Sequence, residues 1–311
     1  MHEIIIPKDC SSDCFDSIVY SMLKYLGYDY EAYNIKYFYT DYYSMSDNCI
    51  LRYEGDRNIL KSIYNISLIS KNKDASFDLS KEIANLIGRY PIGIFIDLYY
   101  CPWSPFYNKK NFSHCLLIVD VDYENKKYTC FDVYFDKIGY VKVDMSVILE
   151  HYESCFIFAC EKPIEVNVES LLNMISNSLK KYDNNTTEKT LNLFNFFKNT
   201  NKNILFPENL DTSIHLINLM WIVEDKKHFP IALRYIEKRI GVVTFTEIYE
   251  LLSSSEKMFS ILISILIKYS MTGVLKEEKI KNIISQIYLI DDLIVNKMKN
   301  TLRDINYKSV F

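Results

Sequence analysis

The chain has 311 residues, 49% of them hydrophobic and 24% charged, with a formal net charge of −4. That length allows two domains with a sizeable core, and the acidic balance argues against a nucleic-acid-coating protein, which needs a basic face. No apolar run approaches the roughly 18 residues of a membrane span, and the opening MHEIIIPKDC lacks the charged-then-apolar signal pattern, so a soluble cytoplasmic protein is expected.

In chain order, the first element is a helix over 15–26. Phe15, Ile18, Val19, Met22, Leu23 and Leu26 form one apolar stripe at helical spacing, and Gly27 ends it. Ser11, Ser12 and Asp13 offer N-cap chemistry in front of it. Residues 31–45 are aromatic-rich, helical at first and then irregular, with the cluster over 37–43 expected in the core or at a homodimer surface and a substrate wall as the alternative. Short helices are expected over 56–66 and 78–89.

The period then changes to that of strands, at 92–98, 115–121, 128–134, 139–143 and 155–160. A hairpin turn over 122–126 joins the second and third of these. The segment Tyr99 to Ser113 holds Pro102, Trp103 and Pro105 and reads as a loop, ending beside His114 as a candidate wall of a site. Beyond Pro163 the pattern is helical throughout, over 167–182, 187–199, 211–223, 229–239, 244–252, 256–271 and 276–305. The expected organisation is therefore α+β, with a catalytic domain of helices and antiparallel strands over 1–162 and an all-α domain over 163–311.

Eight cysteines occupy positions 10, 14, 49, 101, 115, 130, 155 and 160. A disulfide framework belongs to short secreted chains, and Cys115, Cys130, Cys155 and Cys160 sit in apolar runs as small hydrophobes. Cys10 and Cys14 are not followed by a second close Cys/His pair, so no metal ligands and no bound cofactor are expected.

Three residues carry the chemistry. Cys14 opens a helix, where the macrodipole and unpaired N–H groups favour thiolate. His114, alone among the histidines, opens a strand. Asp132 stands in the middle of an apolar strand, where a carboxylate is costly without a partner. Across the hairpin His114 falls opposite 135 or 136, so Asp132 is diagonal to it and Asp136 is the alternative. Asp120 and Asp122 reach poorly, and Cys10 is the alternative nucleophile, without dipole support.

Asp13-Cys14, the helix running to Tyr25-Leu26-Gly27, His114 followed by Cys-Leu-Leu-Ile-Val, and Asp132 resemble the bacteriocin-processing peptidase superfamily of papain-like fold. Adding Asp97-Leu98-Tyr99-Tyr100-Cys101-Pro102, the Val-Asp-x-Asp strand end and the helical second half, the chain is most similar to the butirosin-type acyltransferases. A narrower likeness is to amide-forming enzymes of closthioamide-type assembly lines. The resemblance implies transfer of an acyl group from the phosphopantetheine thioester of an acyl or peptidyl carrier protein to a small amine. It assigns Cys14 as nucleophile, His114 as base and acid, and Asp132 as orienter. Water would compete with the amine, so the helical domain and the Tyr99–Ser113 loop are the expected lids. Processing peptidases place a glutamine six residues before the cysteine, and here that position is Lys8. A peptidase or thioesterase using water, and a non-catalytic module that binds a carrier protein, are the alternatives.

Overall fold

The computed structural model of the chain describes residues 4, 13–38, 43–46, 49–52, 58–74, 77–87, 90–134, 137–160, 164–182, 185–199, 213–242 and 244–308. The elements run α1 (Cys14–Tyr25), a 3-10 helix (Tyr30–Tyr37), β1 (Tyr43–Ser46), β2 (Cys49–Arg52), α2 (Ile59–Tyr64), β3 (Ser67–Asn72), α3 (Leu79–Leu86) and β4 (Ile92–Asp97). There follow β5 (Ser113–Asp122), β6 (Lys127–Tyr134), β7 (Lys137–Asp144), α4 (Met145–His151) and β8 (Tyr152–Ala159). The second half holds α5 (Val168–Lys180), α6 (Thr186–Asn199), α7 (Ile214–Ile240), α8 (Thr246–Thr272) and α9 (Glu277–Lys308). The whole is a mixed α+β protein with a helical C-terminal region, and none of the described helices is long and apolar enough to cross a membrane.

Two units divide the chain. One is Met1–Tyr30 with Asn58–Val166, and the other is Glu31–Arg57 with Asn167–Phe311.

In the first unit six strands form one antiparallel sheet in the order β3-β8-β4-β5-β6-β7. Ile92, Ile94 and Ile96 of β4 share a buried layer with Leu116, Ile118, Tyr128 and Cys130, and α3 covers it through Leu79 and Ile83. On α1, Phe15 stacks on Phe95 at 6.0 Å and meets the edge of Phe156 at 5.4 Å. Gly93 makes this packing possible, because a Cβ there would lie 2.0 Å from Cζ of Phe156.

β3 and α4 were not expected from the sequence. β3 is an edge strand whose SLISKN has no apolar run, because only one of its sides is paired and much of it faces solvent. The hairpin of β1 and β2 begins at the end of the stretch over 31–45 expected to be irregular and runs on into residues for which no element was expected.

In the second unit α7 replaces the two helices expected over 211–223 and 229–239. The polar run Glu224–His228 separates those two stretches in the sequence, and Pro230 follows it. In the structure Asp225 and Lys226 are buried, and Phe229, Ala232, Leu233 and Ile236 continue the buried face past the proline. Lys226 Nζ lies 2.9 Å from Asp291 Oδ1 on α9, and Ser255 of α8 donates to the same oxygen at 3.2 Å. α8 is also one helix where two were expected, since Ser255 in its serine run is a buried hydrogen-bonding residue rather than a solvated break. Glu237 caps the turn between α7 and α8, accepting the N–H groups of Thr244 and Phe245 at 2.6 and 2.7 Å and the Tyr249 hydroxyl at 2.7 Å. Tyr37 and Phe38, from the aromatic cluster, pack on this unit's own helix: Phe38 stacks on Phe229 at 4.8 Å and Tyr37 lies 5.5 Å from the His228 ring.

Candidate active site

α1 begins at Cys14 because Asp13 caps it. Asp13 is extended, at φ −144° and ψ 173°, and its Oδ1 accepts the Asp16 N–H at 2.7 Å. The N–H groups of Cys14 and Phe15 therefore belong to the first turn, whose donors have no acceptor within the helix. Ser11 and Ser12, the other cap candidates, lie outside the described residues, as do Lys8 and Cys10. The cysteine is held there by the body of the helix, in which Ile18, Val19, Met22 and Leu23 are fully buried.

The sheet supplies the other two residues. His114 is the second residue of β5 and stands across from Ile96 of β4. Between β5 and β6, Leu117 faces Phe131, and the register shifts between Ile118 and Asp120. Extending the Leu117 pairing toward the strand start sets His114 across from position 134. Asp132 is then the diagonal neighbour on the same face, within reach of a long side chain. The contact is made: His114 Nε2 lies 2.7 Å from Asp132 Oδ1, with both residues 2% exposed. Asp136 lies outside the described residues.

With Nε2 taken by the carboxylate, Nδ1 is the ring nitrogen left for Cys14, whose side chain is among the groups that raise the proton affinity of the ring. Three elements thus meet at one ring. Burial pushes the proton affinity of the ring down, but the hydrogen bonds to Asp132 and Cys14 and their negative charge outweigh it and carry its pKa up to about 9. At neutral pH the ring is an imidazolium beside the Asp132 carboxylate and Cys14. That arrangement can pair with a thiolate, deliver a proton to a leaving group and take one from an incoming nucleophile.

A fourth residue completes the site. The indole N–H of Trp103 donates to Asp132 Oδ2 at 2.7 Å, so each oxygen of the buried carboxylate has its own donor. Trp103 stands in the segment expected as a loop, and the neck of that loop is closed by Asp97. Its Oδ1 accepts the N–H groups of Tyr99 and Phe112, both at 2.9 Å, while Leu98 N–H donates to Phe112 O at 2.9 Å. In the sequence Trp103 is marked only as part of a candidate wall, and Asp97 only as the first residue of a motif shared with the acyltransferases that the chain resembles. An Asp followed closely by a Pro-Trp-Ser-Pro stretch is a signal for a braced loop, but nothing local says where the indole points.

The other thiols nearby are of a different kind. Cys101 is fully buried and pushed up to about 12, chiefly by desolvation and then by the charge of Asp132. Cys115 and Cys130 are likewise buried and raised by desolvation first. They stay neutral thiols and fill space, whereas Cys14 is half-buried at a helix start. Among the described residues no three His, Cys, Asp or Glu side chains cluster as metal ligands. No family model matches the chain, and none of the curated proteins is similar to it.

Proposed function

We propose that the protein is a cysteine-dependent acyltransferase that forms amide bonds without ATP. The observation that carries this reading is His114, bonded to the buried Asp132 carboxylate and coupled electrostatically to Cys14 at the start of α1. The resemblance of these residues to the papain-like butirosin-type acyltransferases supplies the substrate class, a carrier-protein phosphopantetheine thioester as donor and an amine as acceptor.

The Cys14 thiolate attacks the thioester carbonyl. A carbon–sulfur bond forms to Cys14, the one to the phosphopantetheine arm breaks, and His114 gives its proton to the departing thiolate. The neutral amine then attacks the acyl group, passing a proton to the ring as the Cys14 thiolate leaves. Thioester exchange is close to isoenergetic, whereas the amide is far more stable, so the second step drives the sequence. Each tetrahedral oxyanion needs donors, worth roughly 2.7–4 kcal/mol apiece. The Cys14 N–H in the first turn is one candidate.

Intact-mass measurement of the full chain mixed with an acyl carrier thioester, with and without diamines or amino acids, tests the proposal. Expected are an acyl adduct on Cys14 that amines discharge as amide, and no adduct with Cys14→Ser. Free acid as the only product, at a rate unaffected by amines, would make the protein a hydrolase. The absence of any adduct would make it a binding module.

A further inference from the structure

We propose that Trp103 is a positioning residue for this site: its indole N–H holds the second oxygen of Asp132 and so fixes the plane of the carboxylate that orients His114. The inference rests on the catalytic reading for its purpose, but not for its geometry. A carboxylate gripped at one oxygen is free to turn about its own bond. Here two donors from separate elements grip opposite oxygens, each at 2.7 Å, on a residue that is 2% exposed.

The donor is itself braced. Besides the Asp97 neck, Asn108 N–H donates to Tyr99 O at 3.0 Å across the loop, with Asn108 at φ 53° in the left-handed region. Ser104 N–H donates to Cys101 O at 2.9 Å, and Ser104 Oγ accepts the Phe106 N–H at 3.1 Å. Trp103 is delivered by a folded loop with its backbone tied on both sides. A phenylalanine could fill the same space but could not supply the N–H. Asp132 Oδ2 would then be a buried acceptor without that donor, a costly state relieved by rotation of the group or by its protonation. Either outcome removes the fixed anion that keeps a proton on His114.

The groups that face this cluster are Cys14 from α1, Cys101 from the loop, and Cys115 and Cys130 from β5 and β6, with Asp97 near Cys101 and Asp13 near Cys115. The last three of those thiols are held neutral by burial. Between neutrality and pH 9 those three therefore leave the titration of His114 undisturbed.

The test is an NMR titration of the His114 ring in the full chain and in Trp103→Phe. The wild-type ring should titrate near about 9. In the variant it should titrate at least one pH unit lower, an about tenfold loss of proton affinity, with the fold unchanged by circular dichroism. A folded Trp103→Phe whose His114 titrates as in the wild type overturns the proposal. Should that variant not fold, the Trp103 indole N–H resonance of the wild-type protein decides, since it must shift together with the His114 titration and move in Asp132→Asn. An indole resonance indifferent to both overturns the role. Neither readout needs a substrate, so failure of Cys14 to take an acyl group would refute the enzymatic reading and leave this one standing.

Discussion

The His114–Asp132 pair makes the stability of the first unit depend on pH in a defined window. In the unfolded chain the ring has its ordinary pKa of 6.5, and in the folded protein that value is raised to about 9. A raised pKa means that the folded state binds the proton more tightly. The stabilisation is therefore complete below pH 6.5 and is lost as pH rises through 9. At about 1.4 kcal/mol per pKa unit, that amounts to roughly 3 kcal/mol, since the ring moves from 6.5 to about 9 while 2% exposed. For a unit of this size the corresponding drop in Tm is roughly 6–12 °C. Buried thiols act in the same direction but later. Cys155, raised to about 11 by burial, and Cys101, raised to about 12, penalise folding only once unfolded thiols ionise near pH 9. Urea unfolding of the wild type and of His114→Gln at pH 6, 7.5 and 9 isolates the histidine. The wild type should lose its roughly 3 kcal/mol across the series, and His114→Gln should lose little of it. Equal slopes in the two proteins would refute the reasoning.

Two further substitutions probe the packing that positions the site. Gly93→Ala puts a methyl 2.0 Å from Phe156 Cζ, inside the Phe15–Phe95–Phe156 cluster behind Cys14. It should destabilise the first unit by about 1–3 kcal/mol or more, measured by thermal unfolding, and Phe156→Leu in the same background should recover part of that. In the helical unit, Lys226→Met takes the cation away from the buried Asp291 carboxylate and should cost about 3–5 kcal/mol in denaturant unfolding. Adding Asp291→Leu should return most of the loss, and a purely additive double variant would show that the two charges do not depend on each other.

What could be read from the sequence follows from which signals are local. The stripe of α1, its Asp13 cap and the apolar runs of β4, β5 and β8 are local, and the structure places α1, β4 and β5 within two residues of expectation and starts β8 three residues earlier. Asp132 was legible through its incongruity, a carboxylate in an apolar strand, and the diagonal relation to His114 came from counting across the turn. Trp103 was not legible as a partner, because nothing in a loop sequence says which strand it reaches. Helices α7 and α8 were cut in two for the opposite reason. Lys226, Asp225 and Ser255 look solvated in sequence, and they are buried only because Asp291, far along the chain, receives them. Edge strand β3 was silent because a strand paired on one side needs few apolar residues.

The segment Glu31–Arg57 belongs with the late helices although it is made early, so the chain passes between the units three times. The gap it leaves in the first unit is sutured at its base. Tyr64 donates to Asp29 O at 2.8 Å and sets its ring 5.3 Å from that of Tyr28, so the residues flanking the excursion meet without it. On the ribosome this arm emerges long before α7, and Tyr37 and Phe38 must wait for His228 and Phe229 to be synthesised. A cut after Val166 would strand the arm with its aromatic side chains bare. A shortened protein that bridges Tyr30 directly to Asn58 would remove arm and helices together and keep every residue of the Cys14–His114–Asp132–Trp103 cluster. Biosynthesis of the whole molecule is in this sense vectorially interlocked, with its earliest excursion completed by some of its last helices.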